Sequence, residues 1–343
     1  MKPLASPVPA RAIERELGPA SQIAEFRGLE IHLVAGPDAP ATLDEIGRIR
    51  EQEYRRVGAG RGEPRDLDVF DVQWPWYFQL VSWDPLEREI VAAYRAIRCD
   101  WAVRHGGTAA LRTAGLFSYE DRFVREYLPG AIELGRSVVN AEAKKAVSGL
   151  FSVWVGLGAM VREWPEVRCF FGNVSLYRSL PDDALRSIVA YLLRRHAPPA
   201  QLLRARRPLA WVADLAAGAG DGVPVASTFA ELQALASRGG WNVPPILVSY
   251  AKAHPGMLAL DVAEDEDFGG AFEVAIIIPV DGLSERTRGR FIAPYVSTNP
   301  DRFILPERAT HDPAPPAAAG RPAAPPAATP AATPAPADGP ERT

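Results

Sequence analysis

With 343 residues, 47% of them hydrophobic, the chain is long enough to bury one large core or two small ones. Its 38 Lys and Arg against 42 Asp and Glu leave a net charge of -4, which provides no overall attraction to nucleic acid. Cys99 and Cys169 stand alone, without CxxC or His-rich spacing, so neither a disulfide framework nor a zinc site is expected.

In chain order, the opening MKPLASPVPARAIERELG has no apolar run of the kind a secretory signal needs, and residues 1–27 read as a loosely held arm. GLEIHLVAG (28–36) alternates as a strand does, and Gly36-Pro37 ends it. Residues 41–56 put Leu43, Ile46, Ile49 and Tyr54 on one side of a helix. WYFQLVSWD (76–84) and EIVAAYRAI (89–97), joined by Pro85 to Arg88, predict a hairpin, and Ala131 to Asn140 predicts a further strand. A long helix is predicted over Ala143 to Trp164, then a strand over Val167 to Leu176. Its most apolar part, LFSVWVGLGAMV (150–161), is too short to span a bilayer. Asp182 is expected to cap the helix containing ALRSIVAYLLRRHA, and AFEVAIIIPV (271–280) reads as a buried strand. The Arg-, Gly- and Pro-rich stretch between Pro198 and Val225 looks like an insertion. From Leu305 onward Pro and Ala dominate and large apolar residues vanish, which predicts a disordered tail over 305–343. Hairpins early and helices between strands later predict an α/β fold, with one domain over 28–304 built on a mixed central sheet.

Several polar residues interrupt these apolar segments. GEPRDLDVFD (62–71) crowds Asp66, Asp68 and Asp71 into a loop before the hairpin, and Arg95 lies near the end of the second hairpin strand. Arg50 and Tyr54 are one helical turn apart and point the same way. Glu133 and Arg136 fall within AIELGRSVVN. Strand alternation sends side chains three apart to opposite faces, unless a bulge at Gly135 reverses the parity. Such a bulge also frees a backbone N–H.

In this order, Arg50 and Tyr54, Asp68 and Asp71, Tyr94 and Arg95, then Glu133 and Arg136, the chain resembles a branch of the GNAT-like acyltransferases. That branch contains the acyl-homoserine lactone synthases and the hemolysin-like enzymes that N-acylate ornithine in ornithine-lipid synthesis. The resemblance is closer to the second group, through ELGRSVV (133–139), FSVWVGLGAMVREWPEVRCFFGNVSLY (151–177) and VPPILVSYAK (243–252), and covers about residues 28–300. It implies a GNAT-like domain that moves a fatty acyl group, including a 3-hydroxylated one, from a thioester to the α-amine of an amino acid. Ornithine is the acceptor implied, with glycine or lysine close behind. Glu133 is then the expected base, acting directly or through water, and the freed N–H the oxyanion donor. Arg136 orients Glu133 or holds an acceptor carboxylate, with Arg50, Tyr54, Asp68, Asp71 and Arg95 as substrate-binding residues. One rival reading is a lactone synthase using S-adenosylmethionine; the other is a non-catalytic lipid- or partner-binding protein of the same fold.

GNAT proteins usually hold a pyrophosphate in a Gly-rich turn before the long helix, and here the turn reads VVNAEAKKAVSG. A glycine-poor backbone wraps a diphosphate badly, whereas Lys144 and Lys145 at a helix start suit the single phosphate of phosphopantetheine. Acyl carrier protein is therefore the expected donor over acyl-CoA, with no tightly bound cofactor and no metal. Residues 184–213 carry Arg186, Arg194, Arg195, Arg204, Arg206 and Arg207, which suit an acidic carrier or an anionic membrane as well as a solvated face. The expected location is cytoplasmic, with peripheral contact at the inner membrane face. VADLAAGAGDG (212–222) looks like a methyltransferase nucleotide motif, but Val223-Pro224 follows where its helix should begin.

Overall fold

The computed structural model describes residues 1–216 and 225–306, so the tail from 307 and part of the 212–222 glycine stretch lie outside the described residues. The chain begins α1 (Ala10–Glu16), β1 (Gln22–Phe26), β2 (Leu29–Ala35), α2 (Pro40–Arg56) and the single turn α3 (Val69–Val72). Next come β3 (Phe78–Asp84), β4 (Glu89–Arg98), α4 (Cys99–Gly106), β5 (Phe117–Tyr119), α5 (Asp121–Glu126) and β6 (Ala131–Val139). The helix α6 (Ala146–Glu163) leads to β7 (Cys169–Leu176), α7 (Asp182–Arg195), β8 (Leu203–Ala205) and α8 (Ala210–Ala216). The last elements are α9 (Phe229–Gly239), α10 (Pro245–Ala253), β9 (Leu258–Asp265), β10 (Ala271–Pro279) and the short α11 (Glu285–Thr287).

Eight strands form one mixed sheet in the order β1-β2-β3-β4-β6-β7-β10-β9. Its one parallel pair is β6 with β7, because α6 crosses over between them; the other neighbours are antiparallel. The later strands were expected to alternate with crossover helices, and only this crossover occurs, since β9 and β10 form another antiparallel pair. Val153, Trp154, Leu157 and Met160 of α6 pack on Leu80, Ala92, Tyr94, Ala96, Ile132 and Leu134. The opposite face is covered by two further clusters, one carrying Ile46 and Ile49 of α2, the other Trp101 and Phe123. The α6 contact is close: a Cβ on Gly158 would lie 1.8 Å from the carbonyl oxygen of Phe291.

Two readings are corrected. Residues 1–27 are not a loose arm: β1 pairs with β2 through Phe26 and Leu29, and α1 buries Ile13. Arg27 and Gly28, with φ of 54° and 72°, make the two-residue turn between those strands, a conformation that composition did not advertise. Asp182 is the first residue of α7, where its charge suits the helix dipole, but Pro181 occupies the capping position and no side-chain cap bond forms. The 198–225 insertion supplies β8, which pairs with β5, and α8, whose Val212 and Leu215 join the main core.

Candidate active site

β6 and β7 pair only from Ala131 with Cys169 to Leu134 with Gly172. Beyond that point β6 stays with β4, while β7 continues along β10 as far as Leu176 with Phe272, and the two strands part. Gly172 stands at the fork, where a Cβ would meet the Leu134 carbonyl oxygen at 2.3 Å. A forked sheet offers unpaired backbone groups on two facing edges, which is where an extended ligand can add hydrogen bonds.

The bulge expected at Gly135 is found one residue on. Ala93 faces Val138 and Arg95 faces Gly135, so Arg136 and Ser137 together oppose Tyr94. Arg136, not Gly135, takes the left-handed conformation, with φ of 55°. The extra residue reverses the parity: Val138 packs with Val81 and Ala93 on the side away from α6, and Arg136 turns to that same side as Arg95 and Glu133.

Four donors hold the Glu133 carboxylate, which is 1% exposed. Oε1 accepts from the Thr113 N–H at 2.8 Å and from the Thr113 hydroxyl; Oε2 accepts from the Arg112 N–H at 3.0 Å and from the Tyr77 hydroxyl. Burial pushes the carboxyl up to about 8, against the pull of those two N–H groups. Both oxygens are thus occupied by donors, which argues against a direct approach by an amine, and the Thr113 and Tyr77 hydroxyls are the groups placed to relay a proton; Thr113 Oγ1 lies 2.5 Å from the Tyr119 hydroxyl. Sequence reasoning missed Tyr77, Arg112 and Thr113, whose segments show no pattern and meet Glu133 only through tertiary contact.

Arg50, Asp71 and Arg95 are buried to 1% exposure or less. Arg50 donates to Asp71 at 3.1 Å and to Gln79 Oε1 at 2.6 Å, and Gln79 donates to Asp71 at 2.9 Å. Arg95 donates to Asp68 at 2.7 Å and to Asp71 at 3.1 Å. Asp68 and Asp71 also cap α3 reciprocally, Asp68 accepting from Phe70 N–H and Asp71 from Asp68 N–H, each at 3.0 Å. Burial opposes ionisation of Asp71, but Arg95 and Arg50 outweigh it and hold the carboxyl well below the usual carboxylate range. Of the residues expected to bind substrate, these four are joined into one network beneath the bulge and frame it. Tyr54 donates to the Ser137 carbonyl at 3.1 Å, pinning the bulge, and packs edge-on against Phe268.

Lys144 and Lys145 are not brought to this cluster. Lys144 lies 2.6 Å from Glu87, and Lys145 is 3.1 Å from Asp84, so the acids around the β3–β4 turn already neutralise both. Of the arginines of 184–213, Arg204 pairs with Glu120 at 2.8 Å and Arg207 with Glu266 at 2.6 Å, while Arg206 donates to the Ala114 carbonyl and Arg186 lies over the Trp211 ring. Among the described residues no helix is long and apolar enough to cross a membrane.

The α6 side of the fork is apolar. Tyr94, Leu134, Phe170, Gly172 and Tyr250 line a small cavity at the fork. A larger one continues from Leu134, Phe170 and Tyr250 to Trp154, Leu157 and Phe291. The Tyr94 and Tyr250 hydroxyls meet at 2.6 Å between them.

Residues 49–154 match the acetyltransferase (GNAT) domain family, a span that contains every polar residue expected at the site. Over 289 residues the chain is 32% identical to a glycine N(alpha)-acyltransferase of Bacteroides thetaiotaomicron, covering 81% of this chain and 85% of that one. A glycine N(alpha)-acyltransferase of Phocaeicola vulgatus is 32% identical over 288 residues, covering 80% and 87%. A solved CoA-dependent acyl-homoserine lactone synthase, BjaI, with SAM and isopentyl-CoA, overlays at a TM-score of 0.31 and 10% identity over 76% of this chain and 86% of that one. That overlay is too weak to bear on function.

Proposed function

Because the chain belongs to the GNAT-fold N-acyltransferases, we propose that it moves a fatty acyl group from a thioester to the α-amine of an amino acid, with glycine as the acceptor. One observation carries the reading: the fork between β6 and β7 joins an apolar cavity on one face to the Glu133 and Arg136 cluster on the other. A thioester laid in the fork puts its alkyl chain toward Trp154 and Phe291 and its carbonyl beside the bulge.

The acceptor nitrogen attacks the acyl carbon, a C–N bond forms, and the C–S bond breaks. The sulfur leaves as a thiolate and takes up a proton. The ammonium loses one proton before attack and the new amide nitrogen one after it. Glu133, ionising at about 8, receives a proton relayed by the hydroxyl of Thr113 or Tyr77. A backbone N–H that the bulge withdraws from the β4 pairing is taken as the oxyanion donor, a contribution of typically about 3 kcal/mol.

Ornithine gives way to glycine, since the relatives at 32% identity are named for glycine and Tyr54, Phe268 and Tyr177 crowd the space beside Arg136. Acyl carrier protein stays the proposed donor on the glycine-poor turn alone, because the two lysines are spent on acids. Expression in a host that makes no N-acyl amino acids, followed by mass spectrometry of its lipids, tests the reading. N-acylglycine is expected; an acylated lactone, or no new lipid, overturns it.

A further inference from the structure

We propose that Asp66 and Arg136 are the docking pair for the acceptor zwitterion, Asp66 taking its α-ammonium and Arg136 its carboxylate; this rests on the reading above that the acceptor is a free amino acid. Of the three aspartates in the loop before the hairpin, Asp68 and Asp71 have structural partners. Asp66 is 1% exposed, yet neither of its carboxylate oxygens accepts a hydrogen bond. Buried carboxylates ordinarily hold several donors, and one left without any is a site waiting for a ligand or a defect. The Nε of Arg136 lies 2.9 Å away without hydrogen-bond alignment, so the pair attracts through charge alone. Burial raises the Asp66 carboxyl, and Arg136 offsets that only in part.

Arg136 is itself held in an unusual state. Its left-handed backbone is disfavoured for a residue with a Cβ, and such strain clusters where geometry serves a ligand. The bulge aims its guanidinium over the Phe268 ring, 4.4 Å from the centroid, beside the open edge of the fork. Phe268 packs on Tyr54 at 4.9 Å and faces Tyr177 at 6.2 Å, and these rings wall the pair on the side away from the fork. On the other lip, Ser175 donates to Glu273 Oε1 at 2.7 Å, whereas neither oxygen of Asp66 has a donor. A zwitterion inserted between the acid and the guanidinium adds no net charge. It replaces one misaligned contact with two charge-assisted hydrogen bonds. The aromatic wall admits a small side chain, and the α-nitrogen then sits at the bulge. Asp66 positions the ammonium, and the proton still leaves toward Glu133.

Steady-state kinetics with glycine and with glycinamide, which keeps the amine and lacks the carboxylate, test the pairing. Wild type should prefer glycine by tenfold or more. Asp66→Asn should raise KM for both acceptors at least tenfold, by a larger factor than kcat falls. Arg136→Gln should raise KM for glycine and erase the preference over glycinamide. An Asp66→Asn enzyme with the wild-type glycine KM, or an Arg136→Gln enzyme that still discriminates tenfold, overturns the proposal while leaving the acyltransferase reading intact. If either variant fails to fold, methylamine and acetate each competing with glycine on wild type support it, and the failure of both to compete refutes it. A wild-type enzyme that acylates no amino acid overturns the functional reading and this pairing together.

Discussion

Two halves of one buried charge cluster behave differently. In the Arg50, Asp71, Gln79 and Arg95 half, guanidinium, carboxylate and amide groups answer one another at 2.6 to 3.1 Å. In the Asp66 and Arg136 half, a few residues away, the charges touch and the lone pairs stay open. The residue types are the same, so type and burial alone do not tell a frame from a binding site. What tells them apart is whether the carboxylate oxygens are spent, since Arg50 Nε and Arg95 Nε are themselves without partners. The half whose carboxylate is engaged on both oxygens holds α2, β3 and β4 at a fixed spacing, and the half whose carboxylate is open keeps its capacity for a ligand.

The largest expected effect breaks the half with the engaged carboxylate. Arg95→Ala strips a cation from Asp68 and Asp71, and removing one partner of a buried pair typically costs about 3–5 kcal/mol. Urea unfolding measures it, and a loss under about 1 kcal/mol would mean the network is not a frame. Glu133→Gln comes next. Its amide NH2 would face donors on Arg112 and Thr113, so stability should fall by about 1–3 kcal/mol and turnover by about a hundredfold. Full turnover at saturating acceptor would remove Glu133 from proton transfer.

The pH dependence is intermediate. Burial lifts Glu133 to about 8 and Glu273 to about 7, above the ordinary carboxylate value near 4.3. Groups raised in the folded state favour folding when protonated, so their contribution is whole below about pH 4 and is lost as pH climbs from about 4 to 8. Asp71, held low, acts oppositely: its contribution is present above its unfolded value near 3.9 and lost on further acidification. Melting temperature should therefore peak in mildly acidic buffer, and a maximum above pH 8 would contradict these assignments. The smallest stability effect sharpens the contrast from the other side. Asp66→Asn removes the charge facing Arg136 but no hydrogen bond to Asp66, so its cost in unfolding free energy should lie below that of Arg95→Ala. A cost matching that of Arg95→Ala would place Asp66 in the frame.

Much of this was legible in the chain. β2, the hairpin of β3 with β4, β6, α6, β7 and β10 follow from apolar periodicity, and the Glu133–Gly135–Arg136 spacing announced a bulge. Which residue would take the left-handed conformation was not legible, because Gly135 looks the better candidate and only the pairing with β4 settles it on Arg136. β1 was missed because Gln22 to Phe26 is an edge strand whose side chains are mostly part-exposed, which blunts the alternation. The loss of Lys144 and Lys145 to Glu87 and Asp84 was hidden because those acids lie in a turn far away in sequence. The division of the aspartates into spent and open was equally hidden, since hydrogen-bond saturation is a property of the folded neighbourhood.

The most direct test of the claim that this chain transfers an acyl group to glycine is competition on the purified chain. One 3-hydroxyacyl carrier-protein thioester is supplied with equal glycine and ornithine, and the products are resolved by mass spectrometry. N-acylglycine in clear excess, with the thioester consumed in step, is the result expected. N-acylornithine in excess, a lactone, or hydrolysis of the thioester without amide would contradict it.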